Sequence, residues 1–149
     1  MSDDSYFETV EEGATDETGG RTITEADVVN FAGVSGDFNH LHTDDVRMAD
    51  SAFGERIAHG MLVLSVATGL LWQNRSPEER AAVVAFYGID ELRFRAPVFI
   101  SDRIHVETEV VETERKPDSA GTGTVRYGLE VVKQDGTVAI ACETISLLE

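Results

Sequence analysis

Residues 59–73 read His59-Gly60-Met61-Leu62-Val63-Leu64-Ser65-Val66-Ala67-Thr68-Gly69-Leu70-Leu71-Trp72-Gln73. Apolar side chains fall at nearly every helical angle, so the stretch predicts a buried helix and not one lying on a surface. Its longest apolar run, Met61 to Trp72, is interrupted by Ser65, Thr68 and Gly69. That run is too short to cross a bilayer. A helix that is apolar on every side needs something to wrap it, and a curved antiparallel sheet does so.

The chain downstream supplies such a sheet. Alternation marks Leu92-Arg93-Phe94-Arg95, Ile104 through Val110, and Val125 through Val131 as strands. Asp135-Gly136 predicts a hairpin turn between the last two strands, and Lys116 to Gly123 a polar loop. Immediately after the long helix, Ser76-Pro77-Glu78-Glu79 opens a short helix with Pro at its first position.

Upstream, Thr24 with Asp27 three residues later forms a capping-box variant. It opens a helix over Glu25 to Ala32, which Gly33 is expected to stop. Val34 to His42 reads as a loop, and Thr43 as the cap of a helix through Ala49. The acidic first twenty residues predict a short strand at Tyr6-Phe7 and a flexible turn from Gly13 to Gly20. Helices first and antiparallel strands after give an α+β class. A length of 149 residues fits one domain, 1–149, burying roughly 68–70% of its unfolded surface.

Charge narrows the function. There are 28 acidic residues against 12 basic ones, a net charge of −16, and only Lys116 and Lys133 are lysines. That balance excludes a nucleic-acid partner and an anionic membrane surface. It also predicts a salt-rich cytoplasm, a halophilic adaptation: at ~1 M salt the Debye length is about 3 Å and neighbouring carboxylates barely repel. The single Cys142, in the apolar run Val138 to Cys142, reads as a small buried hydrophobe. With no disulfide framework and no secretory signal at the start, a soluble cytoplasmic protein is expected.

Ser35-Gly36-Asp37-Phe38-Asn39-His40-Leu41-His42 concentrates an acid, an amide and two imidazoles. In a turn, Asp37 and His42 can converge on one water, taking one proton and supplying another. Asn39 can orient one of them or hold the turn through an Asx bond. Two other readings stay open at this point. Asp37 and Asn39 can be turn formers beside incidental histidines, or His40, His42, Asp37 and His59 can be metal ligands. Ala58-His59-Gly60-Met61 places a glycine where the first helical N–H groups lack partners, the chemistry of an oxyanion hole. Gly60 can equally relieve crowding, and His59 can be a satisfied core histidine.

Thr22 to Leu71 resembles the MaoC-like family of R-specific enoyl-CoA hydratases. The resemblance is carried by Ser35-Gly36-Asp37-Phe38-Asn39-His40-Leu41-His42, by Ala58-His59-Gly60-Met61, and by Leu92 to Val98 with Asp102. It implies a hot-dog fold and a catalytic pair of Asp37 and His42, with Gly60 N–H on the thioester carbonyl. Asn39, His59, Met61 and Thr68 would support the site or contact substrate. The substrate implied is an acyl-CoA thioester of fatty acid metabolism, with no metal and no separate cofactor, in a homodimer or higher homo-oligomer. An acyl-CoA thioesterase, or a non-catalytic acyl-CoA-binding partner subunit, are the rival functions. Two positions depart from the family: His40 replaces a proline, and Ser101 stands where glycine commonly precedes Asp102. Arg47, Arg56, Arg93 and Arg95 are candidates to meet the CoA phosphates.

Overall fold

The computed structural model describes residues 5–149, so the first four residues of the acidic opening lie outside the described residues. Elements run α1 (Tyr6–Thr9), β1 (Thr15–Glu17), β2 (Arg21–Thr22), α2 (Glu25–Ser35), α3 (His40–Thr43) and α4 (Asp45–Ala49). After them come α5 (Gly60–Asn74), α6 (Pro77–Ala82), β3 (Val83–Phe94), β4 (Arg103–Arg115), β5 (Gly123–Lys133) and β6 (Val138–Leu148). The strands form one antiparallel sheet in the order β1-β4-β5-β6-β3, with β2 also on β4. Register shifts interrupt three of these pairings, and such bulges bend the strands that carry them.

The long helix packs on this sheet as its apolar composition requires. Leu62, Val63, Leu64, Ala67 and Leu70 are buried and share a core with Val106, Leu129, Val131 and Ile140. The expectation of burial on every side is corrected, however. Met61, Ser65, Thr68 and Trp72, spaced along one stripe of α5, remain exposed, because a single sheet covers only one side of a helix. No helix among the described residues is long and apolar enough to cross a membrane.

Several boundaries differ from those read off the sequence. Tyr6-Phe7 is helical and not a strand; Phe7 is buried against Val110, Val125 and Leu148, and tertiary packing overrides its β-preference. The supposed flexible turn contains β1, and its residues are exposed throughout, so no alternation reveals it. The second helix runs past Gly33 to Ser35. A mid-helix glycine costs only about 1 kcal/mol, whereas Gly36, at φ 76°, takes the left-handed position that ends the helix. Asp44, not Thr43, caps α4, accepting from Arg47 N–H at 2.9 Å. Thr43 already ends α3, and its hydroxyl donates to the Phe38 and Asn39 carbonyls. The capping box at Thr24 and Asp27, the Pro77 start of α6 and the Asp135-Gly136 turn are present. Ser101 adopts φ 83°, backbone better suited to the glycine it replaces. Cys142 is a free, buried thiol, and burial pushes its pKa up.

Candidate active site

Asn39 builds the loop before α3. Its side-chain oxygen accepts from Leu41 N–H at 2.9 Å, which starts the helical turn His40–Thr43 inside the segment expected to be all loop. Its amide donates to Asp37 Oδ1 at 2.7 Å, and its backbone N–H reaches the same oxygen at 3.3 Å. These two bonds hold the Asp37 carboxyl below the usual carboxylate range. Asp37 is therefore an ionised acceptor, half open to solvent at 47% side-chain exposure.

His42 is buried on α3. Its Nδ1 lies 2.7 Å from the Ile57 carbonyl oxygen. A carbonyl only accepts, so Nδ1 carries the proton and Nε2 of the neutral ring bears a lone pair. That Nε2 lies 4.0 Å from Asp37 Oδ2. Burial pushes the His42 pKa down, favouring the neutral ring. The site thus presents two acceptors close enough for one water oxygen to lie about 2.8 Å from each.

His59 stands at the N-cap position of α5, and its side chain makes no bond to the helix's own N–H groups. It is buried, its Nε2 donates to the Asp37 carbonyl at 3.0 Å, and its ring stacks on His42 with centroids 3.7 Å apart. It ties the Asp37 loop to the start of the long helix. Gly60 follows as the first residue of α5, and its N–H has no partner within the helix. A Cβ at Gly60 would come within 2.6 Å of the Phe94 ring, so the glycine admits a close aromatic neighbour as well as an open N–H.

His42 and Gly60 line one cavity of about 460 Å³, together with Phe53, Met61, Phe94 and Val98. Thr68 is two helical turns away on the exposed stripe, bonded to the Ser65 carbonyl, and does not line it. A separate cavity of about 300 Å³ at the far end of α5 holds Tyr6, Glu79 and Tyr127, whose phenol burial pushes up to about 12. None of the residues singled out from the sequence as candidate site residues lines it.

Asp37, His42 and His59 offer ligand atoms within 4.8 Å of one another, as do Glu17, His105 and Glu107. His40 is not in the first set. Each of the two stacked rings already has one nitrogen on a backbone carbonyl, His42 Nδ1 on Ile57 and His59 Nε2 on Asp37.

Arg56 is the residue whose place the sequence concealed. It forms a two-point bridge to Glu25 on α2, pairs with Asp45 on α4, and donates to the His42 carbonyl at 3.1 Å. Its assignment to the CoA phosphates is corrected: its charge is spent within the protein. Glu25 lies 31 residues away, so no local pattern signals the pairing. Replacing Arg56 with Ala is expected to lower stability by about 1–2 kcal/mol, since its partners are largely exposed. It should also slow turnover roughly tenfold by loosening His42. Urea midpoints and initial rates check both.

Comparison with known proteins shows the family. The MaoC like domain matches residues 7–133. Protein MaoC of Klebsiella aerogenes is 40% identical over 117 residues, 76% of this chain but only 34% of that protein. The chain thus spans about a third of that relative's length. The (R)-specific enoyl-CoA hydratase of Aeromonas caviae is 35% identical over 120 residues, covering 80% of this chain and 82% of that one. A Mycobacterium tuberculosis protein with a double hot-dog fold superposes with a TM-score of 0.80 at 22% identity, over 96% of this chain and 43% of that one. The sheet and long helix are a hot-dog fold, and the chain belongs to the MaoC-like dehydratase family.

Proposed function

We propose that the chain catalyses reversible addition of water to a trans-2-enoyl-CoA, giving the (R)-3-hydroxyacyl-CoA. The observation that carries this reading is the pair of acceptors, Asp37 Oδ2 and His42 Nε2, 4.0 Å apart; His42 lines one cavity with Gly60, and Asp37 stands outside that lining. One water donates a hydrogen to each acceptor and turns a lone pair toward C3. The water oxygen bonds to C3 while His42 Nε2 takes its proton, and the double-bond electrons move toward the thioester as an enolate. Gly60 N–H and the positive end of α5 stabilise the enolate oxygen. The dyad then returns the proton to C2, so one water is consumed and no other reactant is needed. The reading requires neither metal nor redox cofactor.

An absorbance assay for loss of the crotonyl-CoA double bond tests this. Release of free CoA, detected with a thiol reagent, would instead favour a thioesterase, and inertness in both assays a binding subunit. The reading also sets a pH dependence. His42 must be unprotonated to act as base, and its pKa is lowered, so the neutral form persists to more acidic pH. The acid limb of kcat/KM is expected below the ordinary histidine value of 6.5, with activity full above it. A limb well above 6.5 would remove His42 from this role.

The same reading extends to assembly, as a homodimer at least. Trp72 and Met61 on α5 are 47% and 53% exposed, and β3 is the edge of the sheet, carrying exposed Phe86 and Tyr87. A second copy would cover both. A cytoplasmic site of action fits a CoA thioester substrate.

A further inference from the structure

We propose that Arg95 is the anchor for the phosphates of the substrate's CoA moiety, while the acyl-pantetheine arm lies in the apolar cavity beside His42. The proposal rests on the hydratase reading for the identity of the thioester, and on the structure for the choice of residue.

Cations are scarce in this chain, and most are consumed internally. Arg21, Arg75, Arg115, Arg126, Lys116 and Lys133 each lie within 4.0 Å of a carboxylate. Of the four arginines near the candidate site, Arg56 is held by Glu25 and Asp45. Arg93 donates to the Leu92 carbonyl at 2.8 Å and does not line the cavity. Arg47 stands on α4 and does not line the cavity.

Arg95 is different. Its side chain is exposed, and among the described residues it makes no ion pair, although 28 acidic residues are available. Among the described residues it is the one cationic residue in the lining of the cavity that holds His42 and Gly60. Its neighbour Phe94 packs directly over Gly60, on the wall of the same cavity. The cavity is otherwise apolar apart from His42, so an incoming thioester with a flexible, weakly polar arm and a polyanionic end matches it group by group. A guanidinium holds phosphate oxygens through paired, charge-assisted hydrogen bonds.

Arg95 also borders the groove that contains Glu91, Glu107, Glu130 and Glu143. Those carboxylates repel phosphate in dilute buffer, and salt screens them. An uncommitted cation on that ridge gives the phosphates one attractive contact on an otherwise repelling rim.

The test compares wild type with Arg95→Ala and Arg95→Lys, using crotonyl-CoA and crotonyl-pantetheine, which lacks the phosphates. Arg95→Ala is expected to raise KM for crotonyl-CoA roughly tenfold with kcat retained. Wild type and R95A should share one KM for crotonyl-pantetheine, and Arg95→Lys should recover part of the loss. Equal KM changes for both substrates, or none, would overturn the anchor. Calorimetric binding of free CoA gives the same answer without turnover. If R95A binds CoA as tightly as wild type, Arg95 is not the anchor. If wild type binds CoA through Arg95 yet hydrates neither thioester, it is the hydratase reading that fails.

Discussion

Replacing Asp37 with Asn is expected to lower turnover of crotonyl-CoA roughly 10²- to 10⁴-fold, the range that a positioned acid or base contributes. The change removes one of the two acceptors that hold the water and little else. Asp37 is half exposed and contributes no side chain to the core, so circular dichroism and the melting temperature should stay near wild type. The amide oxygen can still accept the bonds from Asn39 that shape the loop. His42→Ala should abolish turnover as well, but less cleanly. It leaves the Ile57 carbonyl without its partner and removes the ring stacked on His59, at a cost of about 1–3 kcal/mol. Near-normal hydration by D37N would sink the proposed mechanism.

Dialysis from about 2 M to about 0.1 M KCl is expected to lower the melting temperature by more than roughly 10 °C, as the Debye length grows from below ~3 Å to about 10 Å. The net charge of −16 states the problem, and the sheet register shows where it bites. Glu17 on β1 stands opposite Glu107 on β4, and Glu107 stands opposite Glu130 on β5. Three carboxylates therefore form a row across three strands, and like charges directly opposite destabilise a sheet by roughly 0.2–1 kcal/mol per pair. His105 lies 3.4 Å and 3.5 Å from Glu17 and Glu107. Glu107→Gln, which breaks both pairs, should reduce the salt requirement. A melting temperature indifferent to KCl would refute the halophilic reading. Turnover should follow the same curve, since phosphates approach the same acidic rim.

Much of the candidate site was legible because its parts are close in the chain. Asp37, Asn39 and His42 fall within six positions, and one turn brings them together through bonds spanning two residues. The start of α5 was equally legible, since a histidine and a glycine before an apolar run mark an open helix end. The partners that tune these groups were not. The Ile57 carbonyl that sets the His42 tautomer lies fifteen residues on. The Glu25 that holds Arg56 lies 31 residues back, and the Phe94 ring over Gly60 comes from the other half of the fold. The resemblance offers His59 as a group that meets substrate, while its residues alone leave a core histidine open. Its burial and its bond to the Asp37 carbonyl show that it braces the loop.

By itself the sequence determined the features built from near neighbours: the capping box at Thr24, the turn at Asp135-Gly136, the acid–imidazole loop and the apolar helix that demands a sheet. These rest on hydrogen bonds and periodicities that close within a few residues, so the order of side chains specifies them. Only the tertiary structure decided which stripe of α5 stays open, which arginine lines the cavity beside His42, and which carboxylates face one another. Those outcomes depend on strand register and on how the sheet curves over the helix. A shift of one residue in pairing would move Glu107 to the other face while leaving every local pattern intact.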